Sequence, residues 1–393
     1  MFIILKKTHI FCLGIIGMLF LAGCWDRTEV NDIAIVLGVG LDRADEDQLE
    51  LSVQIINPGA LGGGQAGGGG EGGEVSTVQR ITGRTIFDAS SKLQQEVSRE
   101  LFIGHNQVVF IGEKLAEEGI HKYIDYFARS PFPRLRMNVF VTKGGPADFL
   151  NIKPDLETSS AEFARKLANF EIGVNITLKD LMEMLSSNDS GAVLPIVKIV
   201  SDSPEKPGLR TEGTAVFDKG KMVGEIDEKL TRGLLWLRDE IKTSTVTIEP
   251  EEAEGLISFY IFDASTVLKP EIKNGKWKMV VEVESFDDVR ENETKLNMGD
   301  PATLKKVEKQ LEQEIDERIR LTLELVQKEM QVDIVNFGKA FRRHYPKEWN
   351  KVKDQWKEKF PEVEVEIKSR VEIQRPGSST SPQSVPEEEE AGQ

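Results

Sequence analysis

The sequence predicts a mixed α/β (α+β) protein of three domains, each a β-sheet covered by helices, with a signal peptide in front and a disordered acidic tail behind. Three observations predict it. A chain of 393 residues, 39% of them hydrophobic, exceeds what one core usually serves. Short β-branched runs alternate with segments whose apolar residues recur at helical spacing, as helix-covered sheets require. Breaks rich in glycine, proline or charge punctuate that alternation. The expected divisions are a lipoprotein signal peptide at 1–23, an N-terminal domain at 24–150 with a flexible glycine-rich loop at 59–73, a middle domain at 151–250, a C-terminal domain at 251–375 with a long helix at 301–331, and a tail at 376–393.

The first element is an export signal. Lys6 and Lys7 precede an apolar stretch from Ile10 to Leu21, closed by Leu21-Ala22-Gly23-Cys24. About 12 apolar residues make a helix of about 18 Å, short of the roughly 30 Å hydrocarbon core. Asp26 and Arg27 follow at once and bar extension of the apolar run. Leu21, Ala22 and Gly23 form a lipobox: the small residues admit the backbone to a peptidase site, and the Cys24 thiol accepts diacylglycerol. Cys24 is the expected lipidation site, carrying S-diacylglycerol and an N-acyl chain after cleavage, and these acyl chains together satisfy the two-signal requirement for stable anchoring. The plainer alternative is an uncleaved anchor or an incidental cysteine. Cys12 is the other cysteine and falls inside the signal, so no disulfide is expected in the mature protein.

Charge excludes some partners. The chain has 50 Lys plus Arg and 66 Asp plus Glu, a net charge of -16; without Lys6 and Lys7 it is 48 minus 66, or -18. Nucleic acid is a poor partner for such a body. Anionic membrane would repel it too, so the lipid is the expected means of membrane attachment.

The body begins with Ile33 to Leu41 and the alternating Leu49 to Ile56, a hairpin across a turn-like segment. Gly59 to Gly73 is dominated by glycine and loses too much backbone entropy on ordering to join a core. It lacks the Gly-Lys-Ser/Thr ending of a phosphate loop, and Gly38 and Gly40 lack the third glycine of a dinucleotide fingerprint. A helix is predicted over Thr85 to Val97, a strand over Gln107 to Ile111, a helix over Lys114 to Phe127 and a strand over Met137 to Thr142. Ser159 to Leu185 reads as helical, broken near Gly173 and restarted at Thr177 as a cap. Ser201 to Gly208 is a candidate linker; Thr211 to Phe217 and Met222 to Ile226 form a hairpin, and Leu230 to Ile241 an amphipathic helix. Ile257 to Ile272 and Trp277 to Phe286 are strands joined at Asn274-Gly275, a strong hairpin signal. Asp300 and Pro301 open the longest helix as cap and first residue. A helix at Lys347 to Phe360 and a strand at Val363 to Ile373 follow, and Arg375 to Gln393, with four consecutive glutamates, is disordered by composition.

No catalytic pattern stands out. Past the signal there are three histidines, His105, His121 and His344, widely separated and without metal-ligand spacing; each reads as structural or solvent-facing. There is no nucleophile elbow and no free cysteine nucleophile. Arg99, Glu100 and His105 are the most enzyme-like cluster, and turn and ion-pair roles suit them better. No cofactor and no metal site is expected.

Several segments resemble the Ger(x)C family, the lipoprotein C subunits of bacterial spore germination nutrient receptors. They are Gly23 to Arg27, then Gly83 to Ser90 (GRTIFDAS), Arg99 to Glu113 (RELFIGHNQVVFIGE), Tyr123 to Gly144, Gly213 to Asp227, Thr231 to Ile241 and Asn336 to Trp349, followed by Trp356 and Phe360. The resemblance implies a three-domain α/β body on the outer face of the spore inner membrane. It also implies action beside A and B type membrane-spanning subunits, and no catalytic residues. A solute-binding lipoprotein of a transport system and an envelope hydrolase are the alternatives; two lobes joined by crossing strands would favour the first, and a convergent cleft of carboxylates the second.

The loop reading carries a direct test. Replacing Leu61 to Gly72 with a short Gly-Ser link should leave thermal unfolding of the soluble body almost unchanged, since halving a flexible loop changes closure entropy by only about 0.6 kcal/mol. A large fall in Tm would show that the segment packs or binds.

Overall fold

A computed structural model describes residues 32–45, 47–56, 75–131, 133–170, 172–187, 189–201 and 207–375. Mixed α/β architecture is what these residues show. The expected hairpin forms as β1 (Ile33–Asp45) and β2 (Gln48–Ile56), and β3 (Ser76–Gly83) extends it antiparallel. Helix α1 (Ile86–Glu96) and strand β4 (Glu100–Phe102) lead back to the other edge of β1, where β4 pairs parallel with its start and β5 (Val108–Gly112) with its later residues. Helices α2 (Glu113–Glu118) and α3 (His121–Arg129) come next, and β6 (Asn138–Thr142) lies parallel to β5.

Helices α4 (Pro146–Leu150), α5 (Ser160–Asn169) and α6 (Leu178–Leu185) then lead to β7 (Ala192–Ser201), which continues the sheet into the antiparallel β8 (Pro207–Asp218) and β9 (Lys221–Asp227). Where three sheets were expected there are two, because the N-terminal and middle segments share this nine-stranded sheet. The join is narrow. Strands β6 and β7 pair only at Val141↔Ile196 and Thr142↔Val197. The candidate linker is a correction: Ser201 pairs with Pro207, so its ends belong to adjacent strands of one sheet, while residues 202–206 lie outside those described.

Strand alternation distributes the core to both faces. Val109, Ile111, Val139 and Val141 join the larger cluster beneath α1, α3 and α6. Val108, Phe110 and Phe140 face the other way, with Phe149, Ala161 and Ala164 of α4 and α5. Buried Gln54 ties that second layer down, donating to the Leu150 carbonyl at 2.8 Å and accepting from the Ala161 N–H at 3.2 Å. The single helix predicted over 114–127 is in fact α2 and α3, broken where Gly119 takes φ of +125°, a conformation closed to most side chains. Thr177 caps α6 as expected, in a reciprocal capping box with Asp180.

Helix α7 (Glu228–Leu237) leads to the second sheet, ordered β10 (Ser244–Ile248), β11 (Ile257–Lys273), β12 (Lys276–Asn292) and β13 (Glu364–Arg375). Asn274 and Gly275, at φ of 52° and 78°, make the β11–β12 turn where the sequence placed it. Helix α8 (Pro301–Leu323), capped by Asp300, buries Val307, Leu311, Ile315 and Ile319 and continues to Glu329 in a wider π-type turn. Its other service is to the sheet edge. Glu312 and Glu308 accept the outward N–H groups of Val371 and Ile373 in β13, at 3.1 and 3.0 Å, which satisfies an edge otherwise open to foreign strands. The helix predicted over 347–360 is interrupted, as α10 (Pro346–Val352) and α11 (Trp356–Lys359) with tighter turns between and after them, and α9 (Phe337–His344) precedes it.

The two sheets are knitted at residues 332–338. The Asp333 carbonyl accepts from Gly191 beside β7, and the Ile334 carbonyl accepts from Arg238 after α7, both at 2.9 Å. The buried Asp333 carboxylate accepts from Val335 and Phe337 through Oδ1, and from Gly338 and the Trp356 indole through Oδ2, at 2.7 to 3.2 Å. Around it Trp277, Phe341, Trp349, Trp356 and Phe360 form an aromatic cluster of tilted and edge-on contacts.

Two buried carboxylates set the pH response. Burial outweighs the four donors to Asp333 and lifts its pKa to about 6. Burial, only partly opposed by the Ser285 hydroxyl, lifts Asp287 in β12 to about 7. Between the ordinary carboxylate pKa and these values the folded state binds more protons than the unfolded one, so stability falls as pH rises from about 4 to about 7. Asp287→Asn should abolish its share, raising Tm clearly at pH 8 and little at pH 4; equal shifts at both pH values would contradict the assignment. Asp333→Ala strands four buried donors at about 1–3 kcal/mol each, and a loss of about 4 kcal/mol or more in chemical denaturation is expected.

Candidate functional site

A groove of about 900 Å³ lies on the first sheet between α1, β4 and α3. Its floor is Val36 and Val39 of β1 with Leu51 and Val53 of β2, the inward positions of two alternating strands. The Thr85 side chain accepts from the Asp88 N–H at 3.0 Å and fixes the start of α1, so that Ile86 and Leu93 point to the sheet while Phe87 stays 68% exposed at the mouth. Gln94 pins β4 against the end of α1, accepting from the Leu101 N–H and donating to the Arg99 carbonyl, both at 2.9 Å. This presents Leu101, Phe102 and Ile103 as one wall.

Helix α3 forms the opposite wall with Tyr123, Tyr126 and Phe127. Tyr126 and Phe127 meet edge to face at 5.6 Å. Burial pushes the Tyr126 hydroxyl above its ordinary pKa, and a hydrogen bond with Ser90 opposes this in part. At the rim, Arg129 pairs with Asp125 at 2.7 Å and the Lys122 ammonium lies 4.9 Å from the Tyr123 ring centre. An aromatic and aliphatic interior with a sparse polar rim is the composition of a binding surface.

The enzyme-like cluster of the sequence sits at the edge of this groove in a structural role. Arg99 lies in the bend into β4, Glu100 is the first residue of that strand, and His105 ends a tight turn where it contacts Arg134 at 3.1 Å and the Phe102 ring at 5.5 Å. The turn role is seen. The ion pair is not: among the described residues neither Arg99 nor Glu100 has an oppositely charged partner within 4.0 Å. His121 starts α3, and His344 ends α9 with its Nδ1 donating to the Ala340 carbonyl at 3.0 Å. Among the described residues no group of three or more His, Cys, Asp or Glu is placed to hold a metal ion, and no helix is long and apolar enough to cross a membrane. Leu21, Ala22, Gly23 and Cys24, the loop at 59–73 and the tail at 376–393 lie outside the described residues.

Sequence reading missed the groove, although its walls are three of the segments it singled out, Gly83 to Ser90, Arg99 to Glu113 and Tyr123 to Gly144. The available signal was excess aromatic content. Phe87, Phe102, Tyr123, Tyr126 and Phe127 are more than the buried stripes of α1 and α3 need.

Comparison with known proteins fits both sheets. Residues 26–199 match the spore germination protein N-terminal domain, and residues 212–377 match the spore germination B3/GerAC-like C-terminal domain. Spore germination protein KC of Bacillus subtilis is 29% identical over 398 residues, covering 96% of this chain and 98% of that one. The putative spore germination protein YfkR of the same organism is 30% identical over 382 residues, covering 95% and 98%. The crystal structure of the GerBC protein shares the fold at a TM-score of 0.59 and 20% identity, over 86% of this chain and 97% of that one. With both domain families matched in order across nearly all of the folded body, the chain belongs to the Ger(x)C, or GerAC-like, spore germination family.

Proposed function

We propose that the chain is a non-enzymatic lipoprotein subunit of a spore germination nutrient (germinant) receptor. It is held by lipid on Cys24 at the outer face of the spore inner membrane, and it acts with A and B type membrane-spanning subunits to trigger germination. The observation that carries this reading is the ordered match of both family domains, with relatives covered over 98% of their length. A solute-binding role is less well supported, because the groove is walled by elements of one sheet rather than set between two hinged lobes.

The reading has two independent tests. Spores lacking the protein should fail to answer its nutrient; a normal response, with no related receptor able to substitute, would defeat the germination role. Cys24→Ala should leave the precursor unprocessed, and mass spectrometry should find the wild-type mature N-terminus at a lipid-modified Cys24. A different start, or an unmodified cysteine, would remove the anchor from the proposal while leaving the germination role to be judged by the spores.

A further inference from the structure

We infer that the groove between α1, β4 and α3 is the docking site for an extracytoplasmic segment of a membrane-spanning protein partner, one that presents apolar side chains flanked by acidic residues. This rests on the lipoprotein reading above and names the surface through which that subunit would assemble.

The argument starts from where the chain leaves the described residues. Ile33 and Ile35 pair directly with Glu100 and Phe102 of β4, the groove wall. Cys24 is nine residues before Ile33, and at 3.3–3.6 Å each those residues reach at most about 30 Å. A lipid on Cys24 thus confines the groove to within about 30 Å of the bilayer surface. Few other occupants have such constant access as the parts of a neighbouring membrane protein that project from the membrane.

Chemistry selects among the remaining occupants. Phe87, 68% exposed, and Phe102, 37% exposed, flank an apolar floor, and large apolar surface left in water marks an interaction site. The groove floor of Val36, Val39, Leu51 and Val53 gives a small zwitterionic nutrient no polar side chain to grip at its base. A peptide supplies apolar anchors for the floor and walls together with polar groups for the Arg84, Lys122 and Asp125 rim. The charges lining it are Arg84, Lys122 and Arg129 against Glu100 and Asp125, a net of 3 minus 2, or +1, on a chain of -16. Arg129 is spent on Asp125, but Arg84 and Lys122 have no ion-pair partner within 4.0 Å among the described residues. Lys122 lies over the Tyr123 ring and Arg84 near Asp88, and both are exposed enough to meet further carboxylates, which would steer an acidic-flanked segment to this patch of an otherwise repelling surface.

The test uses full-length protein in spores. A photo-activatable phenylalanine analogue placed at Phe87 or Phe102 should cross-link to a membrane-spanning subunit, and the same analogue at Phe262, on the second sheet, should not. Phe87→Glu should lower co-purification of that subunit at least tenfold while leaving Cys24 processing and the Tm of the body unchanged, because position 87 is exposed. Cross-links confined to lipid, to a second copy or to the chain's own N-terminal segment would overturn the inference. So would undiminished co-purification of Phe87→Glu alongside a wild type that retains the subunit, an outcome that leaves the receptor reading intact. A wild type that retains no membrane-spanning subunit defeats both.

Discussion

The fold depends on one buried carboxylate. Asp333 follows the longest helix at the point where the chain must turn back under two sheets, and four donors converge on it from Val335, Phe337, Gly338 and Trp356. A turn buried this deeply exposes backbone N–H groups that water cannot reach, and the carboxylate is the group able to accept several of them at once. Because the neighbouring carbonyls take hydrogen bonds from Gly191 and Arg238, the same short segment fastens the first sheet to the second. Gly191 must be small here: a Cβ would fall 2.4 Å from Val332 and 2.6 Å from the Phe217 carbonyl oxygen. Holding the charge in this interior raises its pKa to about 6, so the junction is strongest where the carboxyl is neutral or shared among all four donors.

What could be read in the sequence was local. The Asn274-Gly275 turn, the Thr177 cap, the Asp300-Pro301 helix start and the stripe of α8 each follow from residues within one or two turns of each other. Mixed α/β architecture followed from their alternation. Strand β3 escaped notice because its sequence, STVQRITG, is largely solvent-facing at a sheet edge, so period-two apolarity is muted. Strand β10 is only five residues long. The break at Gly119 needed knowledge of a positive φ that composition alone does not supply. Sheet count was misjudged for a different reason: a domain division was placed at residues 150–151, and two residue pairs between β6 and β7 carry the first sheet across it. Parallel pairing across an intervening 50 residues leaves no mark in the strands themselves.

The groove was illegible for the same reason on a larger scale. Its floor, its two walls and its mouth come from segments between Val36 and Pro131, and each segment alone reads as an ordinary amphipathic element. Only after β4 returns to the start of β1 do Phe87, Phe102 and Tyr126 share a surface. Gln94 makes that return specific, since its amide bonds both the carbonyl before β4 and the N–H within it.

The segments that carry the family resemblance therefore divide into two physical kinds. Asn336 to Trp349, with Trp356 and Phe360, is accounted for by packing, because Phe337, Phe341, Trp349, Trp356 and Phe360 fill the core around Asp333 and are almost wholly buried. Packing does not account for Phe87 or Phe102, which cost solvation where they stand and satisfy no core position. A side chain of that size in water is tolerated singly, but here the exposed rings border a continuous apolar floor. Stability alone would favour polar residues at these rims. The surplus is intelligible if the covered state, rather than the free one, is the state in which this surface works.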